Sequence, residues 1–194
     1  GNIMGTLFVD KLDPQSGTAL EIGSSGDTIT IPSGATIANS GTATGFGEAN
    51  TPAFAATYSS AGNGLAQATL TKLSFDSELY DSGSVYDASN YRFTPGVAGK
   101  YFIYARTLIS AGSTSPNQGR IAIYKNGSMF NYWRWTNTAT ISDFSMQISA
   151  FDTANTTDYY EAYIYQSNAT SSTTFSVNSD TSQVGLFMGY KITT

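Results

Sequence analysis

Apolar and polar residues alternate with a period of two along most of the chain, and no long stretch carries the 3.6-residue spacing of a helix. Phe144, Met146, Ile148 and Ala150 fall on one face of such a run, with Ser145, Gln147 and Ser149 on the other. The pattern predicts strands over 53–58, 68–75, 100–110, 119–125, 128–135, 141–151, 158–166, 173–177 and 184–192. Turn signals separate them, among them Thr94-Pro-Gly96, Lys125-Asn-Gly127 and Asp152-Thr-Ala-Asn155. So many short strands without a helix predict an all-β sandwich or barrel from residue 52 to 194.

The first 47 residues follow another pattern. Gly17-Thr-Ala-Leu-Glu-Ile22, Gly26-Asp-Thr-Ile-Thr-Ile31, Gly34-Ala-Thr-Ile37 and Gly41-Thr-Ala-Thr44 each open on glycine and run into a short alternating stretch. One such unit has too few aliphatic side chains to cover them alone, and it gains stability by stacking or by wrapping with identical copies. Residues 1–47 therefore predict the end of a three-stranded β-shaft, closed by a joint at Ser40-Gly-Thr-Ala-Thr-Gly-Phe-Gly47. A solvated Gly/Ser/Thr linker is the plainer alternative. It has no use for the strand spacing of Leu20, Ile22, Ile29, Ile31 and Ile37.

Composition narrows the chemistry. Charged residues make up 12% of the 194, about half the usual share, and the net charge is −5. The nine basic residues are scattered singly, which speaks against a nucleic-acid partner. Apolar runs such as 101–105 are too short to enter a membrane as a span. Cysteine and histidine are both absent, which removes disulfides, Ser-His-Asp and Cys-His machinery, HExxH helices and ordinary structural zinc sites.

The run Phe75-x5-Asp81-x4-Tyr86-x6-Phe93-x5-Gly99-x-Tyr101 resembles the signature of C1q domains at six positions. It departs at Ile103 and Ala105, where that family prefers aromatics. Ile123-Tyr-Lys-Asn-Gly127, Asp158-x-Tyr160-x-Ala162-x-Ile164 and Phe187-Met-Gly189 resemble later family segments in the right order. The resemblance implies a C1q/TNF-like jelly roll of about ten strands that assembles as a homotrimer. It also implies that Phe75, Asp81, Tyr86, Phe93, Gly99, Tyr101, Phe187 and Gly189 serve core and trimer packing. Gly/Thr/Ser-rich repeats, the Asn39-to-Gly47 segment and a Cys-free head together resemble bacteriophage fibres, of marine phages in particular. Vertebrate C1q proteins carry collagen repeats instead, which are missing here. That likeness implies an external, extracellular virion fibre, joined through its shaft to other virion proteins and meeting the host surface with its head.

Phe130-Asn-Tyr-Trp-Arg-Trp135 holds both tryptophans of the chain. Alternation puts Trp133 and Trp135 on one face and Tyr132 and Arg134 on the other. Such a strand suits stacking on sugars with an arginine for hydroxyls or acidic groups. Core and subunit packing draws on the same residue types. Tyr159, Tyr163 and Tyr165 oppose Tyr160, Ala162 and Ile164, and one of the two sets is expected to face the core. Asp76, Glu78, Asp81 and Asp87 surround the signature loop. Hard oxygen ligands of this kind suit Ca²⁺, although the spacing matches no EF-hand loop and acidic loops are commonly just solvated. No carboxylate pair stands out for polysaccharide cleavage, and no Gly-Lys-Ser/Thr phosphate loop is present. The expectation is a trimeric, non-enzymatic fibre head without resident cofactor that binds a host-surface glycan or protein. A purely structural trimerisation cap and a polysaccharide-degrading enzyme are the alternatives.

Overall fold

A computed structural model of the protein describes residues 11–41, 50–60, 64–110, 116–137, 143–168, 175–177 and 185–192. The chain divides into two units, Gly1–Thr44 and Gly45–Thr194. Among the described residues of the first there is no strand. Its backbone turns at Gly17, Gly23, Gly26 and Gly34, all with positive φ, and one turn is closed by Asp27 N donating to Ser24 O at 2.9 Å. Leu20, Ile22, Ile29, Ile31 and Ile37 are exposed. Their alternation makes no ladder within one chain, because a strand needs a second one to receive its N–H and C=O groups. Residues 42–47 of the predicted joint lie outside the described residues.

The second unit is all β. Its strands are β1 (Ala53–Thr57), β2 (Gly64–Leu65), β3 (Thr71–Lys72), β4 (Ser77–Ser82), β5 (Tyr86–Asp87), β6 (Arg92–Phe93), β7 (Gly99–Ser110), β8 (Pro116–Lys125), β9 (Ser128–Thr136), β10 (Asp143–Ala154), β11 (Tyr160–Asn168), β12 (Phe175–Val177) and β13 (Leu186–Lys191). They pair antiparallel in two sheets. The first runs β2-β12-β7-β13-β1-β4, with β10 on the free side of β7. The second runs β5-β6-β11-β8-β9, with β3 also beside β11.

Alternation decides what lies between the sheets. Tyr101, Ile103, Ala105 and Ile109 of β7 and Phe144, Met146 and Ile148 of β10 turn inward from the first sheet. Ile121 and Ile123 of β8 meet them with Tyr160, Ala162 and Ile164 of β11. Of the two tyrosine sets on β11, it is therefore Tyr160's that enters the core. Tyr163 and Tyr165 stay half-exposed on the outer face.

The aromatic signature residues lie in the core. Phe75, Phe93, Tyr101 and Phe187 are fully buried and Tyr86 nearly so. Tyr86 stacks on Phe54 at 4.6 Å and donates its hydroxyl to Phe75 O at 2.6 Å. Asp81 accepts from Val85 N and Tyr86 N, both at 3.0 Å, and so ties the turn between β4 and β5. Gly189 lies opposite Phe54 and Ile103 in register, and a Cβ there would come within 3.0 Å of the Phe93 ring and 3.2 Å of the Phe54 ring. At the Lys125-Asn-Gly127 turn, Asn126 and Gly127 have φ of 52° and 76°, the double positive φ of a tight hairpin between β8 and β9.

Strand assignments change in several places, and the two-residue β2, β5 and β6 fall outside the predicted runs. The predicted strand over 68–75 shrinks to β3, because Ala68 takes φ of 53° and the segment joins β11 through separate bonds, Ala68 N to Gln166 O and Leu73 N to Ala162 O. Conversely β4 is a strand the pattern does not predict. It sits at the sheet edge with Glu78, Leu79 and Tyr80 all exposed, so its sequence shows no buried-exposed alternation.

Candidate functional site

β9 ends the second sheet and β10 edges the first, so the two strands border the same side of the sandwich. Asn131 Nδ2 donates to Ser149 O across them at 3.1 Å. Beside this link runs a cleft of about 930 Å³, walled by Tyr132 and Trp133 from β9, Gln147 and Ser149 from β10, and Tyr104 and Arg106 from β7. Cross-strand register on β8 places Tyr132 opposite Ala122, Trp133 opposite Ile121, Arg134 opposite Arg120 and Trp135 opposite Gly119.

The two tryptophans have different surroundings. Trp135 lies over Gly119, where a Cβ would meet its Nε1 at 2.7 Å, and its ring packs edge-on against Phe144 at 4.8 Å. It is part of the core wall. Trp133 is 47% exposed and Tyr132 54%, so these rings are open to a partner. Arg134 is exposed beside them. Of the four residues singled out on this strand, three stand on the surface and one is built into the fold.

Two outer faces were not legible as sites from the pattern. On the first sheet, Phe102 lies between Phe151 and Tyr190, with ring centroids at 5.2 and 5.5 Å, and Phe151 is 70% exposed. Tyr104 donates to Gln147 next to them at 2.9 Å. On the second sheet, the Arg120 guanidinium lies 5.3 Å from the Tyr132 ring centroid and 5.2 Å from that of Tyr165. Tyr124 and Tyr163 pack at 4.2 Å on the same sheet. Burial and the nearby Glu161 carboxylate push the Tyr163 hydroxyl up to about 12. The available signal was the half of each alternation that the core leaves unused: Phe102 and Tyr104 on β7, Arg120 and Tyr124 on β8.

The acidic side chains around the signature loop do not gather into one cluster. Asp76 accepts from Ser59 N at 2.7 Å and Ser59 Oγ at 2.5 Å, Asp81 ties the β4–β5 turn, and Asp87 accepts from Ser89 and Asn90. Glu78 is exposed on β4. Asp76, Asp81 and Asp87 are each taken up by separate hydrogen bonds, and among the described residues no three acidic side chains converge on one point. For Asp76, Glu78, Asp81 and Asp87, nearness along the chain did not become convergence in space.

Other carboxylates are structural too. Glu161 is buried, which by itself raises its pKa. Hydrogen bonds from Lys72 at 2.8 Å and Arg92 at 2.9 Å, with their charges, bring it below the usual carboxylate range. Asp158 accepts from Asn155 N, Asn126 Nδ2 and Lys125, and these bonds hold its pKa down at about 2. The sign follows from the unfolded value near 3.8. Stability from Asp158 is fully present above pH ~4 and is lost as pH falls toward 2. Asp158→Asn is therefore expected to flatten the fall in urea midpoint between pH 4 and 2. An unchanged slope would mean that Asp158 carries none of the acid sensitivity.

These two sheets define a protein with the C1q/TNF-like jelly-roll fold. Among solved structures the chain is similar to the globular domain of zebrafish complement 1qA protein, with a TM-score of 0.51 and 16% identity, covering 73% of this chain and 96% of that one. It is similar also to murine APRIL, with a TM-score of 0.52 and 11% identity, covering 72% of this chain and 98% of that one. No protein-family model and no curated protein sequence matches the chain. Among the described residues no helix is long and apolar enough to cross a membrane.

Proposed function

We propose that this protein is the trimeric head of an external virion fibre, attaching to a host-surface glycan or protein and joined to other virion proteins through residues 1–47. One observation carries the trimeric, surface-binding part of that reading. A head whose core is already complete still leaves Trp133, Tyr132 and Phe151 about half or more exposed, on a cleft edge and on a sheet face. Exposed aromatics in such groups mark surfaces that meet a partner. The aromatic face of the first sheet suits subunit packing, and the cleft edge suits either a neighbouring subunit or a sugar. The exposed aliphatic row over residues 20–37 gives the same answer for the first unit, since three copies can cover what one cannot. Three joined copies also add avidity to weak attachment. The fibre setting rests on the resemblance of the repeats and joint to phage fibres.

The test is mass in solution by light scattering, on the whole chain and on residues 51–194. A trimer of 20.6 kDa chains, about 62 kDa, is expected for the whole chain. A shorter chain that stays trimeric assigns assembly to the head. A monomeric whole chain sinks the proposal. The recognition-free cap predicts the same trimer and parts from this reading only in failing to adhere to host surfaces.

A further inference from the structure

Arg120 of β8 and Arg134 of β9 stand directly opposite each other in register on the outer face of the second sheet. Two like charges side by side on paired strands repel. Other cations near this face have acidic partners: Lys72 and Arg92 share Glu161, and Lys125 holds Asp152 and Asp158. Among the described residues neither Arg120 nor Arg134 has an ion pair or hydrogen bond. Arg120 is half-buried near the rings of Tyr132 and Tyr165, and its Nε is buried without an acceptor. Beside the pair, Tyr132 and Tyr163 flank Ala122, a buried small residue in register with both. The result is a tyrosine surface closed over Ala122, with two guanidiniums that have no acidic partner among the described residues at one end, on a chain of net charge −5.

We infer that Arg120 and Arg134 form a subsite for the carboxylate of an acidic sugar unit in a surface polysaccharide. A guanidinium presents a planar fork that matches a carboxylate, and a pair of them relieves its own repulsion by sharing one anion. The tyrosine faces give the sugar ring C–H groups a surface, and their hydroxyls give its hydroxyls partners. Two cations match one charge per sugar; a densely sulfated chain calls for a wider basic field. The inference deepens the attachment reading and rests on it for the source of the ligand.

The experiment measures binding of the full-length protein to immobilised polygalacturonate, dextran sulfate and neutral dextran at low and physiological salt. Polygalacturonate is expected to bind in preference to dextran, to weaken with salt, and to lose ~10-fold or more in affinity in Arg134→Gln. Arg134 is exposed, so this variant reports on the site without depending on the fold; Arg120→Gln is expected to act in the same direction. Equal binding by wild type and Arg134→Gln overturns the inference. So does a wild-type trimer that ignores polygalacturonate, or one that prefers dextran sulfate. Light scattering on the same samples separates the two readings: a monomer with Arg134-dependent binding sinks the trimer and leaves the subsite standing.

Discussion

Phe54→Ala is expected to cost the head ~3–5 kcal/mol, a large part of the stability of an ordinary domain. Phe54 is fully buried at the point where both sheets and the signature loop meet. Its ring stacks on Tyr86 at 4.6 Å with an interplanar angle of 6°, lies 4.5 Å from Phe93 and takes the edge of Phe187 at 4.9 Å. Truncation removes all three contacts and leaves a cavity among rings that are themselves anchored. Phe187 is fixed by the β13 ladder, and Tyr86 by its hydroxyl bond to Phe75 O. The cavity therefore has little freedom to collapse, which places the cost high in the range for such changes. Urea denaturation at neutral pH measures it. A loss below ~1 kcal/mol would show that the aromatic cluster repacks, and that the signature spacing is not what holds the two sheets in register.

Much of this centre was legible in the sequence because its residues are constrained twice. Phe75, Tyr86, Phe93 and Tyr101 have to enter the core, and the turns between them have to bring their strands together, so their spacing is distinctive enough to carry the resemblance to the C1q signature. Gly189 was marked by the Phe187-Met-Gly189 resemblance, and the structure supplies the reason: the rings of Phe93 and Phe54 leave little room for a Cβ. Phe54, the ring that joins them, lies in a run of alanines and carries no spacing of its own. β4 stayed hidden because an edge strand with three consecutive exposed residues shows neither period. The acidic group was a neighbourhood along the chain only. Asp81 and Asp87 bond backbone N–H groups of their own turns and Asp76 bonds Ser59, so the three carboxylates part ways.

The outer faces were only half legible. Alternation says which side chains leave the core, but not which of them meet across strands. Arg120 and Arg134 lie 14 positions apart in the chain, and only the β8–β9 register, set by the Asn126-Gly127 turn, puts them side by side. Likewise Phe102, Phe151 and Tyr190 come from three strands, and only the placement of β7 between β10 and β13 makes them one surface.

That surface supplies the second large effect. Phe151→Asp is expected to convert the proposed ~62 kDa trimer into 20.6 kDa monomers at micromolar concentration while leaving the fold intact. The side chain is 70% exposed in the single chain, so its loss costs the monomer little, within ~0.5 kcal/mol for an ordinary surface position. In a trimer packed through the aromatic face the same change acts differently. It removes a ring from the contact and asks an aspartate to lose its water beside Phe102, in every one of three copies. At ~2 kcal/mol or more per site, the three penalties sum to ~6 kcal/mol, about 10⁴-fold in association, which carries a nanomolar assembly past the micromolar range. Thr156→Asp, an exposed loop position that also adds one negative charge, is the control and is expected to remain trimeric. A trimeric Phe151→Asp variant would remove the first sheet's aromatic face from the assembly, and would leave that face, rather than the cleft edge, as the surface in need of another partner.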